Sequence, residues 1–108
     1  MAGSVNRVVL VGTISKYGVD VRYAQNGSPC ASFVMVLTEV AQDGKEYTTL
    51  VPCEIWGKRA EAAGEVEAGQ VVVFEGKLRK RQKADQLWEL VATGFELTPI
   101  VTGVGTGG

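Results

Sequence analysis

Val5-Asn6-Arg7-Val8-Val9-Leu10-Val11-Gly12-Thr13-Ile14 decides how the chain is read. β-Branched residues dominate it, with no proline and no helical stripe, which marks a β-strand. Val9 and Val11 point to one side, Val8 and Leu10 to the other. A strand apolar on both faces is expected to be covered on both, as the first strand of a small closed barrel is. Gly12 interrupts the run where such a strand must bend sharply to serve two sheets. An ordinary buried strand with a passing glycine reads the same way over these ten residues, so the rest of the chain must choose.

Downstream, Ser15–Asp20 is a bend, Val19–Tyr23 a short extended piece and Gln25-Asn26-Gly27-Ser28-Pro29 a dense turn signal. Cys30–Glu39 alternates, placing Ala31, Phe33, Met35 and Leu37 on one face, so the pieces around Asn26-Gly27 form a hairpin. Asp43-Gly44 marks a second hairpin before the strand Tyr47–Trp56. Pro52 lacks a ladder donor and places that strand near an edge or bulge. Lys58–Gly69 holds the one candidate helix, alanine-rich but interrupted by Gly64, hence one or two turns. Gln70–Arg81 is a strong strand with a glycine kink at Gly76. Lys83–Gln86 is a loop, and Leu87–Leu97 is the last strand. The predicted fold is all-β: a five-stranded barrel of the OB type with a short helix between its third and fourth strands. Another small barrel or a half-open α+β roll would share this order.

At 108 residues the chain supports one core, expected over 1–101, with a mobile Gly/Thr-rich tail over 102–108. An apolar share of 45% excludes wholesale disorder, and a net charge of −1 confines any nucleic-acid site to a local patch. Histidine is absent, which removes the commonest general base and metal ligand. No close carboxylate pair or phosphate loop replaces it, so neither an enzyme nor a cofactor or metal site is expected. Cys30 and Cys53 match no zinc spacing and read as buried free thiols, suited to a reducing compartment, with a disulfide between them the alternative the sequence leaves open. With neither a signal pattern nor a membrane-spanning run, a soluble, cytoplasmic protein is expected.

One local patch stands out. Lys77, Arg79, Lys80, Arg81 and Lys83 crowd into seven positions, and strand periodicity sends Lys77, Arg79, Arg81 and Lys83 to one face. Like charges so aligned repel, and a phosphodiester backbone laid along them would relieve the strain. A solvated loop with charges guarding against edge pairing is the bland alternative. Bases need flat side chains to stack on, and Tyr23, Tyr47, Trp56 and Trp88 are the candidates. Phe33, Phe74 and Phe95 lie in apolar runs and read as core. Trp56 precedes Gly57-Lys58-Arg59, which sets an indole beside two cations.

On these stretches the chain resembles the bacterial single-stranded DNA-binding protein family. The similarity runs through Asn6-Arg7-Val8-Val9-Leu10-Val11-Gly12, Val21-Arg22-Tyr23 with Asn26-Gly27, Ala31-Ser32-Phe33, Trp56–Glu61, Gly69–Gly76 and Leu78-Arg79-Lys80-Arg81. The resemblance implies an OB-fold, sequence-independent binding of single-stranded DNA, and homo-oligomers, dimers or tetramers, in which opening strands of two subunits pair. It also implies that Arg7, Trp56, Lys58, Arg79 and Arg81 face the nucleic acid; the charge row adds Lys77 and Lys83.

The departures are specific. Leu50 stands where the family has a strand tryptophan, the preceding loop is short and lacks its aromatic, and Lys83 replaces another tryptophan. The acidic-tipped tail that recruits replication proteins has no counterpart. Binding is therefore expected to lean on charge and be salt-sensitive. Asn6–Leu10, Gly12-Thr13-Ile14 and Gly27–Cys30 also resemble primosomal replication protein N, a short dimeric OB-fold of replication restart. That likeness leaves open a scaffold acting mainly through replication or restart proteins, and stacking plus phosphate contacts leave RNA open beside DNA.

Overall fold

The sheet closes because its first strand has two partners. In the computed structural model, which describes residues 3–82 and 88–100, β1 (Val8–Ile14) pairs through Val8–Thr13 with β5 (Val71–Gln82) and through Thr13–Ile14 with β3 (Pro29–Val40). Gly12 sits at the switch. A Cβ there would stand 2.5 Å from the Val36 carbonyl oxygen and 2.8 Å from Leu37 Cδ2, so only glycine lets β1 approach β3. β4 (Glu46–Trp56) pairs with β3, β6 (Trp88–Pro99) with β5, and a three-residue parallel pairing of β4 with β6 completes the ring.

The result is the predicted OB-type barrel of five strands, with a short extra strand, β2 (Asp20–Tyr23), on the flank of β3. The helix α1 (Lys58–Ala63) lies between the third and fourth barrel strands and buries Ala60 and Ala63. It stops short of Gly69. At Gly64, just after its last residue, a Cβ would meet Val21 Cγ2 at 2.5 Å.

Both hairpins turn where the sequence says. Gly27 and Gly44 have φ of +88° and +84°, and the Asn26 and Asp43 side chains accept from the Ser28 and Lys45 amides at 2.9 Å. Pro52 pairs with Val34 of β3 on one side, while pairing with β6 begins only at Cys53. Its missing donor therefore falls where, among the described residues, β4 has no second partner. At Gly76, β5 slips register against β6 between Glu75 and Gly76, and a Cβ would strike the Thr93 carbonyl. The Lys83–Gln86 loop and the 102–108 tail lie outside the described residues.

Inside the barrel Ile14, Ala31, Phe33, Met35, Ile55, Val72 and Phe74 pack together. Phe33 meets Phe74 edge to face at 5.8 Å and 74°, an arrangement that contributes about 0.5–1.5 kcal/mol beyond area burial. The Phe95 side chain is not among those described. One expectation is not met within the single chain. Val9 and Val11 are 55% and 57% exposed, because β1 turns Val8, Leu10 and Ile14 toward the interior and, among the described residues, its outer side is left open there.

Cys53 points into this core and Cys30 is half-buried; neither is in a disulfide. Burial pushes the Cys53 thiol up from 9.0 to about 12. The unfolded chain then loses its proton first, so the associated stability is intact below pH 9.0 and falls as pH climbs toward 12. Urea midpoints should show it. Between pH 8 and about pH 10 the wild type is expected to lose roughly 1 kcal/mol more than Cys53→Ala does.

Candidate nucleic-acid interface

Strand register builds one lateral row across the outside of the barrel. Lys77 of β5 lies opposite Thr93 of β6, Thr93 beside Glu54 of β4, Glu54 opposite Ser32 of β3, and Ser32 opposite Asp20 of β2. At 4.7–4.9 Å between strands the row spans about 19 Å. Alternation fixes its side: Cys53 and Ile55 are core, so Glu54 between them, like Pro52 and Trp56, faces outward.

Glu54 is nevertheless covered, its side chain only 4% exposed. Arg79 Nε donates to Glu54 Oε1 at 3.0 Å and to Thr93 Oγ1 at 3.1 Å. Arg79 Nη2 also donates to Glu54 Oε1, Thr93 Oγ1 donates to the same oxygen at 3.3 Å, and Arg81 Nη1 stands 3.9 Å from Oε2. A carboxylate taken out of water survives only when paired and hydrogen-bonded, and these groups supply both. Two guanidinium groups thus roof one carboxylate and keep 43% and 38% of their side-chain surfaces open. The repulsion expected along the row is relieved, at this point, from within the protein.

The clefts on either side meet at Ser32. One, of about 280 Å³, is lined by Arg22, Tyr23, Cys30, Ser32, Glu54 and Trp56. The other, of about 240 Å³, runs past Tyr17, Ser32, Val34, Pro52 and Arg81. Trp56 is 47% exposed, so its indole can serve as a platform rather than being sealed in the core. Tyr23 donates its hydroxyl to Glu61 Oε2 at 3.0 Å, which fixes the ring at the rim. That hydrogen bond, with the charge of Glu61, raises the phenol above its ordinary range. Desolvation is the main reason the Cys30 thiol is raised as well.

Of the residues the sequence singled out, Trp56, Lys77, Arg79 and Arg81 share this outer surface. Arg7, just before β1, pairs with Glu75 at 3.2 Å. Lys58 leaves the sheet as the first residue of α1, exposed beyond Gly57, whose φ is +88°. Lys83 and the Trp88 side chain lie outside what is described. Leu50 is exposed on the same side of β4 as Trp56, and Tyr47 on the opposite side.

Sequence reasoning missed Glu54, Thr93, Tyr17 and Arg22. Glu54 had a signal: a lone carboxylate between Cys53 and Ile55 in an otherwise apolar strand needs a cation. Among the described residues no group of three or more carboxylates and thiols could hold a metal ion, and no helix is long and apolar enough to cross a membrane. The surface offers cations, an indole and a tyrosine around shallow clefts, which is equipment for holding a flat, anionic polymer.

Known proteins are similar to this chain along most of its length. Residues 5–97 match the model of the single-strand binding protein family. The chain is 29% identical over 79 residues to a single-stranded DNA-binding protein of Clostridium tetani, covering 70% of this chain and 54% of that protein. It is 31% identical over 77 residues to single-stranded DNA-binding protein 1 of Synechocystis sp., covering 70% of this chain and 63% of that one. The chain thus spans less than two thirds of the curated relatives it matches. With the family match running from the opening strand almost to the end of the last, over a closed barrel of the OB type, the chain belongs to the single-strand binding protein family.

Proposed function

We propose that this protein holds single-stranded DNA across the outer surface of β3–β6 without reading its sequence, as a non-catalytic module of DNA replication, recombination or repair. The observation that carries the reading is the pair Arg79 and Arg81, anchored on buried Glu54 and open outward, where Glu54 lines the same cleft as the half-exposed indole of Trp56. Phosphates take the guanidinium groups, and a base stacks on the indole. Neither interaction distinguishes one base from another. RNA would interact in the same two ways, so both polymers belong in the test. The uncovered Val9 and Val11 on β1 support a homo-oligomer in which opening strands pair.

Titrating oligo-dT while following tryptophan emission tests the proposal: quenching that weakens as salt is raised is expected. No quenching and no retention of the oligonucleotide at low salt would refute it. Arg79→Ala and Arg81→Ala each take one cation off a phosphate, which should flatten the log-affinity against log-salt slope by about 0.7. Unchanged slopes would take those arginines off the DNA path.

A further inference from the structure

We infer that Tyr17 forms a second base-stacking subsite, at the far end of the surface from Trp56, with Arg81 as its phosphate partner. This rests on the single-strand reading and adds a place to it. Tyr17 is the most exposed aromatic among the described side chains, at 82%, yet it lines the cleft of about 240 Å³ with Val34, Pro52 and Arg81. An aromatic left in water beside an apolar slot, with a cation at the slot's edge, offers what one nucleotide needs. The ring takes the base, the Val34 and Pro52 side chains exclude water, and the guanidinium meets the phosphate.

Two features hold the backbone at Tyr17. The Ser15 hydroxyl accepts from the Tyr17 amide at 3.4 Å, and Gly18, with φ of +70°, turns the chain immediately after it. Lys16 Nζ lies 5.3 Å from the ring centroid; it covers one face and leaves the other for a base. Asp20 also lines the cleft, but its carboxylate is engaged by Arg22 Nε at 2.7 Å, so it does not oppose an approaching phosphate alone. The subsite continues the path already described. Pro52 and Trp56 lie on the same side of β4, four residues or about 13 Å apart, and Ser32 lines both clefts.

Wild type, Tyr17→Ala, Tyr17→Leu and Tyr17→Phe should be titrated with oligo-dT of about 16 nucleotides, the upper end of what one OB barrel covers. Affinity should fall about tenfold in the alanine and leucine variants and by less than about twofold in the phenylalanine variant, which keeps the stacking face. A 5-iodouracil-substituted oligonucleotide should photocrosslink to the peptide holding Tyr17. Wild-type affinity in Tyr17→Ala or Tyr17→Leu, or crosslinks found only at Trp56, would overturn the subsite while leaving single-strand binding in place. If the wild type itself failed to bind, the single-strand reading would fall first, and the subsite with it.

Discussion

Glu54→Ala is expected to destabilise the protein by about 2–3 kcal/mol and lower its melting temperature by roughly 10 °C or more. The carboxylate accepts two hydrogen bonds from Arg79 and one from Thr93; bonds to a charged group contribute about 1.5–3 kcal/mol net. Removing one member of a fully buried ion pair costs about 3–5 kcal/mol. The smaller figure applies because Arg79 is 43% exposed and can regain water. Glu54→Gln, which keeps an acceptor but not the charge, should lose roughly half as much. Its effect on DNA should run the other way. Without the internal anion more of the guanidinium charge can turn to phosphate, so the salt slope should steepen by about 0.7 and low-salt affinity should rise. Thermal melts and a salt series on the two variants check both parts. A Glu54→Ala protein as stable as wild type would mean that the ion pair contributes no more than a screened surface pair.

Trp56→Ala should act on binding alone. Losing one stacked base costs about 1–3 kcal/mol, or roughly 5- to 150-fold in Kd. The half-exposed indole contributes little to the core, so the melting temperature should hardly move. Stacking releases few counterions. The salt slope should therefore stay near the wild-type value, in contrast to Arg81→Ala, and Trp56→Phe should keep most of the affinity. Filter binding across a salt series separates the two mechanisms. A weakened Trp56→Ala protein with a flattened slope would argue that the indole positions a cation instead of carrying a base.

Much of the barrel was legible because its cues are local. Gly12 marked the point where β1 changes partner, Asn26-Gly27 and Asp43-Gly44 marked the hairpins, and Pro52 marked the place where, among the described residues, β4 lacks a second partner. Alternation in Cys30–Glu39 gave the buried face of Ala31, Phe33 and Met35 correctly. The parallel β4–β6 closure was hidden, since three residue pairs bridging some forty positions leave no trace in either strand. That Lys77, Arg79 and Arg81 share one face of β5 was foreseeable from strand period. The pairing of Glu54 beneath them was not, because Arg79 is 25 residues away and only the folded register brings the two together. Tyr17 escaped for the opposite reason: a lone aromatic in a polar bend has no period to reveal which cleft it borders. The outer side of β1 was half legible: apolar residues on both faces suggested full cover, and among the described residues of the single chain only one face has it.

Nuclear magnetic resonance shows most directly where a single strand lies on the barrel. A ¹⁵N-labelled sample should be titrated with oligo-dT at low salt while the Trp56 indole N–H and the Arg79 and Arg81 Nε–H resonances are followed. They should shift together with the amides of Ser32 and Cys30, while those of Val9 and of the turn at Asp43-Gly44 stay in place. Shifts confined to the Val9–Val11 side of β1, with the indole and both guanidinium signals unmoved, would contradict the account.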